Sequence, residues 1–320
     1  MSASFPRAYP GHPVPEEVSS MNPSTAGSAS LIFVLVILFL AAGPVAGHET
    51  WSVPDAGTVT IGNNVSFAVG SSHGWGMSEE VPAGYVIAVL SDPDGHREVR
   101  TAGDGSIRGL YRVFRYNIRN TGLYLFTVYH TEGSWTHIIT DPKNTDPEGG
   151  LWIDKKAEDI DLTSLPDTAW SDAWYVETTY TVHCYSKTFL VSGNADYSRG
   201  VQPVHSTFEI VPLTDIRRAG TGDFAVRVLY RDAPLSGIAV SAAVQGNETT
   251  PVTAITDARG IAVLPLNRTG TWRVRADTGA DPRIVSFVYL PRGSAATART
   301  PVGPVYRYTL VLRPDYPGMS

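Results

Sequence analysis

Histidine, cysteine and a freed chain end are the groups in this 320-residue chain best suited to holding a transition-metal ion. His48 follows a hydrophobic leader directly. If the chain is cut before it, the residue gains an α-amino group with a pKa of about 8, close enough to neutrality for a metal to displace the proton. The amine and Nδ1 of that one residue can then close a chelate ring on Cu, Ni or Co, ions that suit imidazole and amine nitrogen. An uncut leader leaves an ordinary amide there, and His48 is then merely the first residue after a linker.

Four further imidazoles are candidate ligands. His73 stands in Gly70-Ser71-Ser72-His73-Gly74-Trp75-Gly76, a glycine-rich loop whose backbone freedom lets a side chain reach a site built with the N-terminus. His130 ends the strand pattern Leu123 to His130 on the face of Tyr124, Phe126 and Val128, which predicts a half-buried edge position. His137 follows in Trp135-Thr136-His137-Ile138, beyond the next turn, and either of the two could face the same end of a sandwich. His183 and Cys184 are adjacent on one strand pattern, and period two sends them to opposite faces. Cys184 joins Val182 and Leu190 as a small buried residue, while His183 joins Tyr185, Lys187 and Phe189. A common His-Cys site built from that pair is geometrically poor. The metal candidates are therefore His48, His73, His130, His137 and His183. At each the alternative is a solvated or hydrogen-bonded structural histidine. His96, beside a predicted turn, serves as a comparison.

The elements that must position these residues read as strands. Alternation with period two runs through Val65 to Val69, Tyr85 to Leu90, Leu110 to Tyr116, Leu123 to His130, Thr179 to Val191, Phe224 to Tyr230, Ile238 to Val244 and Tyr306 to Leu312. Turn signals separate them, among them Asp92-Pro93-Asp94-Gly95 and Asp257-Ala258-Arg259-Gly260. No segment after residue 48 sustains a helical period. The pattern predicts an all-β protein of two β-sandwich domains, Ig-like or transthyretin-like, behind an N-terminal signal or anchor helix. The expected division is a leader over 1–47, a first sandwich over 48–212 and a second over 213–320. In the second, Gly237 and Gly260 turn the chain, and Leu235, Val240, Val263 and Trp272 fill the space between sheets. Between strands of the first lies an acidic insertion, 141–177, holding ten acids and three lysines. Its acids lack EF-hand spacing, so a solvated loop is expected there rather than a calcium site.

Composition sets the context. A formal charge of −6 with only 18% charged residues argues against nucleic-acid binding, which needs clustered cations. Apolar residues at 42% suffice for a folded core, and 30 Gly with 23 Pro favour short elements over long helices. Leu31 to Leu40 reads LIFVLVILFL, the h-region of an export signal or a short membrane anchor. Val45-Ala46-Gly47 supplies small residues at −3 and −1, which favours cleavage before His48. Arg7 is the only cation before the apolar run, and Met21 offers an alternative start. The single Cys184 allows no internal disulfide, so the core must hold the fold. Sequons at Asn64, Asn247 and Asn267 are compatible with a surface protein. No Cys-x-x-Cys pair, His-Glu-x-x-His helix, Gly-x-Ser-x-Gly elbow or phosphate loop occurs, so no enzyme is expected.

One further pattern spans most of the chain after His48. The opening His48-Glu49-Thr50-Trp51-Ser52-Val53-Pro54 is followed in order by the loop at His73, Tyr185-Ser186-Lys187-Thr188, Phe208-Glu209-Ile210-Val211-Pro212, Pro234-Leu235-Ser236-Gly237 and Thr256-Asp257-Ala258-Arg259-Gly260. This resembles the NikM-like family of exported proteins, catalogued as a domain of unknown function. The resemblance implies an extracytoplasmic two-part β protein, linked in some relatives to nickel or cobalt uptake, with the opening histidine a metal contact. The chain departs from transport-linked members in its acidic insertion and in lacking a second hydrophobic span near Ser320.

Three functions are compatible with these observations. The first is an exported metal-binding accessory protein, secreted or on the outer face of the membrane, presenting Ni, Co or Cu to a membrane transporter. The second is a cell-surface structural or adhesive protein without metal. The third, ranked last, is an oxidative copper enzyme, which needs an open coordination position and a substrate surface.

Overall fold

Alternating residues along each strand bury opposite faces, and this chain uses both faces of one long sheet. A computed structural model describes residues 48–72, 77–82, 84–139, 151–153, 175–279, 286–292 and 296–313. The leader, His73 and most of the acidic insertion lie outside the described residues. Pro44–Ser320 form one unit. Its first half contains β1 (Glu49–Pro54), β2 (Asn64–Ser72), β3 (Tyr85–Ser91), β4 (Arg97–Thr101), β5 (Ser106–Arg108), β6 (Tyr111–Asn117), β7 (Gly122–Ile139), β8 (Leu151–Ile153) and β9 (Tyr175–Ser192). The second half adds β10 (Phe208–Pro212), β11 (Gly222–Tyr230), β12 (Ala233–Pro234), β13 (Ala239–Val244), β14 (Asn247–Ile255), β15 (Ile261–Leu266), β16 (Trp272–Asp277), β17 (Ser286–Arg292) and β18 (Ala296–Leu312). The protein is all-β, as the alternation predicts. Among the described residues no helix is long and apolar enough to cross a membrane.

The described residues form three sheets. One outer sheet runs β1-β2-β6-β5, and the other β10-β11-β12 with β15 also on β11. Between them lies a ten-stranded sheet in the order β14-β13-β16-β18-β9-β7-β3-β4, with β17 added to β18 and β8 to β7. β18 and β9 pair in parallel. Period two divides the central sheet between two cores. Tyr124, Phe126, Val128 and Leu190 pack with Val65, Phe67, Val69, Phe114 and Tyr116 from the first outer sheet. Leu123, Leu125, Phe189 and Val191 point the other way, onto Phe208, Ile210, Phe224, Val226 and Leu264. Phe67 and Phe126 stack with ring centroids 4.0 Å apart at the centre of the first core.

The expected boundary at 212/213 therefore falls inside the second outer sheet, and the central sheet draws strands from both sides of it. β10 and β11 pair directly across it, and β18 returns to lie against β9. All eight predicted strand patterns are strands, β7 and β18 being much longer than expected. Among the strands that alternation did not reveal, β4 (REVRT) and β14 (NETTPVTAI) are polar sequences at the two edges of the central sheet. The acidic insertion is not wholly a loop. Leu151–Ile153 pairs with β7, and Tyr175 to Glu177 belong to β9. In the second sandwich Leu235, Val240 and Trp272 are buried as expected, but Val263 is 49% exposed. Ala262 and Leu264 fill the core instead, because β15 takes the opposite phase.

Candidate metal centre at the start of the first strand

β1 is the edge of its sheet and lies across the central sheet, so its first residues meet β7, β9, β16 and β18. Thr50 Oγ1 is 2.8 Å from His130 Nδ1, and Ser52 Oγ is 2.8 Å from Ser186 Oγ. The His48 carbonyl accepts from Arg307 Nη1 at 2.6 Å and from the buried Cys184 thiol at 3.5 Å. These contacts anchor the backbone just where the strand begins. The alternate residues Glu49 and Trp51 lie against β16. Arg275 Nη1 donates to Glu49 Oε1 at 2.9 Å, and Arg273 lies over the Trp51 ring at 4.9 Å.

The His48 imidazole meets two carboxylates, one at each nitrogen. Nε2 is 3.4 Å from Glu79 Oε2 and Nδ1 is 3.1 Å from Glu80 Oε1. Both nitrogens can donate only when the ring is cationic. The acids are held by the docking of 78–80 onto the end of β2. Glu79 N–H donates to Ser71 O at 2.9 Å, Ser71 N–H donates to Ser78 Oγ at 2.8 Å, and Ser78 Oγ donates to Glu80 O at 2.8 Å. Beside them, burial raises the Glu49 carboxyl above its ordinary range, and the guanidinium groups of Arg275, Arg273 and Arg307 oppose that rise.

The predicted ligands are distributed as follows. His48 and His130 approach the same stretch of β1, and Cys184 lies directly across the strand pair from His130. His130 is not a half-buried edge residue. It is 2% exposed, because β7 is flanked by β3 on one side and β9 on the other. His183 faces away from this cluster, as its parity dictates. Its Nδ1 is 2.8 Å from Tyr129 Oη, it stacks on Tyr306 with centroids 5.2 Å apart, and burial lowers its pKa. It does not join His48. His137 sits in the far part of β7, its backbone opposite Trp152 and Thr178. His73 lies outside the described residues.

Sequence reasoning passed over Glu79, Glu80, Thr50 and the His130–Cys184 pairing. The first two carry a readable signal, consecutive acids just after a glycine-rich loop. The cross-strand pairing carries none, since register depends on which strands become neighbours. A second missed feature is the buried ion pair between Lys187 Nζ and Glu209 Oε1, 3.0 Å apart. Glu209 also accepts the N–H groups of Val204 and His205 at 2.9 and 3.0 Å, and Lys187 donates to Gln202 O at 3.3 Å. A lysine between Tyr185 and Phe189 on one strand face, and an acid inside FEIVP, were the signals.

Fold and site together define an all-β protein of two sandwiches sharing a central sheet, with a histidine–carboxylate cluster at the first strand. A family profile for a domain of unknown function, DUF4198, matches residues 45–279, and the chain belongs to that family. Comparison with curated proteins returned no match. Similar solved structures include the D0-D1 domain of intimin, at 11% identity and a TM-score of 0.19, covering 81% of this chain and 97% of that one. Salmonella alpha-2-macroglobulin reacted with methylamine is similar at 9% identity and a TM-score of 0.22, over 85% of this chain and 15% of that one. Murine CEACAM1b is similar at 10% identity and a TM-score of 0.18, over 84% and 98%. None of these likenesses is close enough to bear on what the chain does.

Proposed function

We propose that the protein is an exported accessory protein that binds a transition-metal ion, Ni, Co or Cu, at His48 and presents it to a membrane transporter. The observation that carries the reading is the pair of carboxylates around the His48 ring. Among the described residues no three His, Cys, Asp or Glu side chains group around one point, so the described side chains alone do not furnish a site. A main-chain donor changes the count. With the leader removed before His48, the α-amine and Nδ1 form the chelate, and Glu80, already 3.1 Å from Nδ1, is the carboxylate on that side. Glu79 sits at the opposite nitrogen, too far round the ring to share the ion. Its role is to hold Nε2–H and so leave Nδ1 as the donor. The ion would supply an exchangeable cargo, and the chain's own groups bind, orient and neutralise it.

Titration of the mature, metal-stripped protein with each ion tests the reading. Binding tighter than roughly micromolar is expected. His48→Ala and a form extended by one residue before His48 should both lose it, while His96→Ala should not. Absence of binding in the mature protein retires the metal reading and leaves the structural or adhesive one.

A further inference from the structure

On the Trp51 side of β1 a cavity of about 540 Å³ opens between the first outer sheet and the β13–β14–β16 end of the central sheet. This lies within the range of roughly 300–1,000 Å³ usual for small-molecule sites. Its walls combine two kinds of group. Trp51 and Tyr111 meet edge to face with centroids 5.7 Å apart, and Met77, 76% exposed, stands at the mouth. Arg273, 7% exposed, supplies a guanidinium over the Trp51 ring.

The charge balance favours an anion at depth. Two cations, Arg273 and Arg108, and two acids, Asp55 and Glu248, line the cavity. Arg108 and Asp55 are exposed, so water and salt screen them. Glu248 Oε1 is committed to the Gly246 N–H at 2.8 Å. Arg273 is the buried charge of the four, and a buried charge acts through a lower dielectric. Glu49 and Glu248 already act on it through their charge, but Glu49 accepts the hydrogen bond of Arg275 and Glu248 that of the Gly246 N–H. A guanidinium stays cationic and offers planar, forked donors that match a carboxylate.

We propose that the cavity between Trp51 and Arg273 binds a small molecule that joins a planar apolar ring to one carboxylate. The ring lies against Trp51, Tyr111 and Met77, and the carboxylate pairs with Arg273. The site uses no metal, so its fate is independent of the His48 reading.

Calorimetry with indole-3-acetate and its neutral amide, indole-3-acetamide, tests this on the wild-type protein. The acid should bind with Kd of about 1 mM or tighter, and the amide at least about tenfold more weakly. Arg273→Gln should erase the difference between the two. Because that buried change could disturb folding, Met77→Glu at the exposed mouth gives a second test. It should weaken the acid by about threefold or more through like-charge repulsion and leave the amide unchanged. Equal binding of acid and amide, no saturation below about 10 mM, or indifference of the acid to Met77→Glu overturns the proposal.

Discussion

Lys187 and Glu209 are where single residues weigh most on this fold. Burial lowers the Lys187 pKa, and the Glu209 carboxylate opposes that shift by charge and hydrogen bond. Removing one member of such a pair leaves a buried charge without its counter-ion. Glu209→Ala, which also strips acceptors from Val204 and His205, should cost about 3–5 kcal/mol in urea unfolding. The double change Lys187→Met with Glu209→Gln keeps an acceptor for those N–H groups, and should cost no more than about 2 kcal/mol. Asp215 gives the pH counterpart. Hydrogen bonding from the Arg217 side chain holds its carboxyl below the ordinary value, against a smaller opposing effect of burial. A depressed folded pKa stabilises above the unfolded value and loses that contribution as pH falls through the folded one. Urea midpoints should therefore drop below about pH 4, and Asp215→Asn should flatten part of that drop.

At the scale of elements, strand phase and turn geometry decide outcomes. Gly260 has φ +71°, and a Cβ there would lie 2.8 Å from Val228 O and 2.9 Å from Leu235 N, both backbone atoms. Gly237 has φ +76° with nothing within 4 Å of such a Cβ. Gly237→Ala should therefore cost only the conformational term, about 1 kcal/mol, whereas Gly260→Ala should cost about 2–3 kcal/mol or more. Thermal unfolding of the two variants side by side measures the difference. The strand faces at this scale were legible in the sequence. Cys184 buried and His183 turned the other way both follow from period two alone. Val263 shows where that reasoning slips, since alternation fixes spacing but a short strand such as IAVLPL carries apolar residues in both phases.

At the scale of the whole molecule, the central sheet joins what the chain order separates. Val302 to Leu310 of β18 lie beside Thr179 to Lys187 of β9, and β11 and β15 cover residues of β7 and β9. A fragment ending at residue 212 would lack both and expose Leu123, Leu125, Phe189 and Val191. Expressed alone, 48–212 should give poorly dispersed NMR spectra and no cooperative unfolding transition, while 48–320 should unfold as one unit. A cooperative, well-dispersed 48–212 fragment would refute the energetic coupling argued from the shared sheet.

Local pattern alone determined the all-β class, the phase of the longer strands, and the turns at Asp92–Gly95 and Asp257–Gly260. These follow from neighbours in sequence, because side-chain alternation and turn preference act over a few residues. Tertiary structure decided that β18 joins β9, that His130 is buried opposite Cys184, that Glu79 and Glu80 reach the His48 ring, and that Lys187 meets Glu209. Each of these depends on which strands become neighbours, a choice made by burying both faces of the central sheet at once rather than by any single segment.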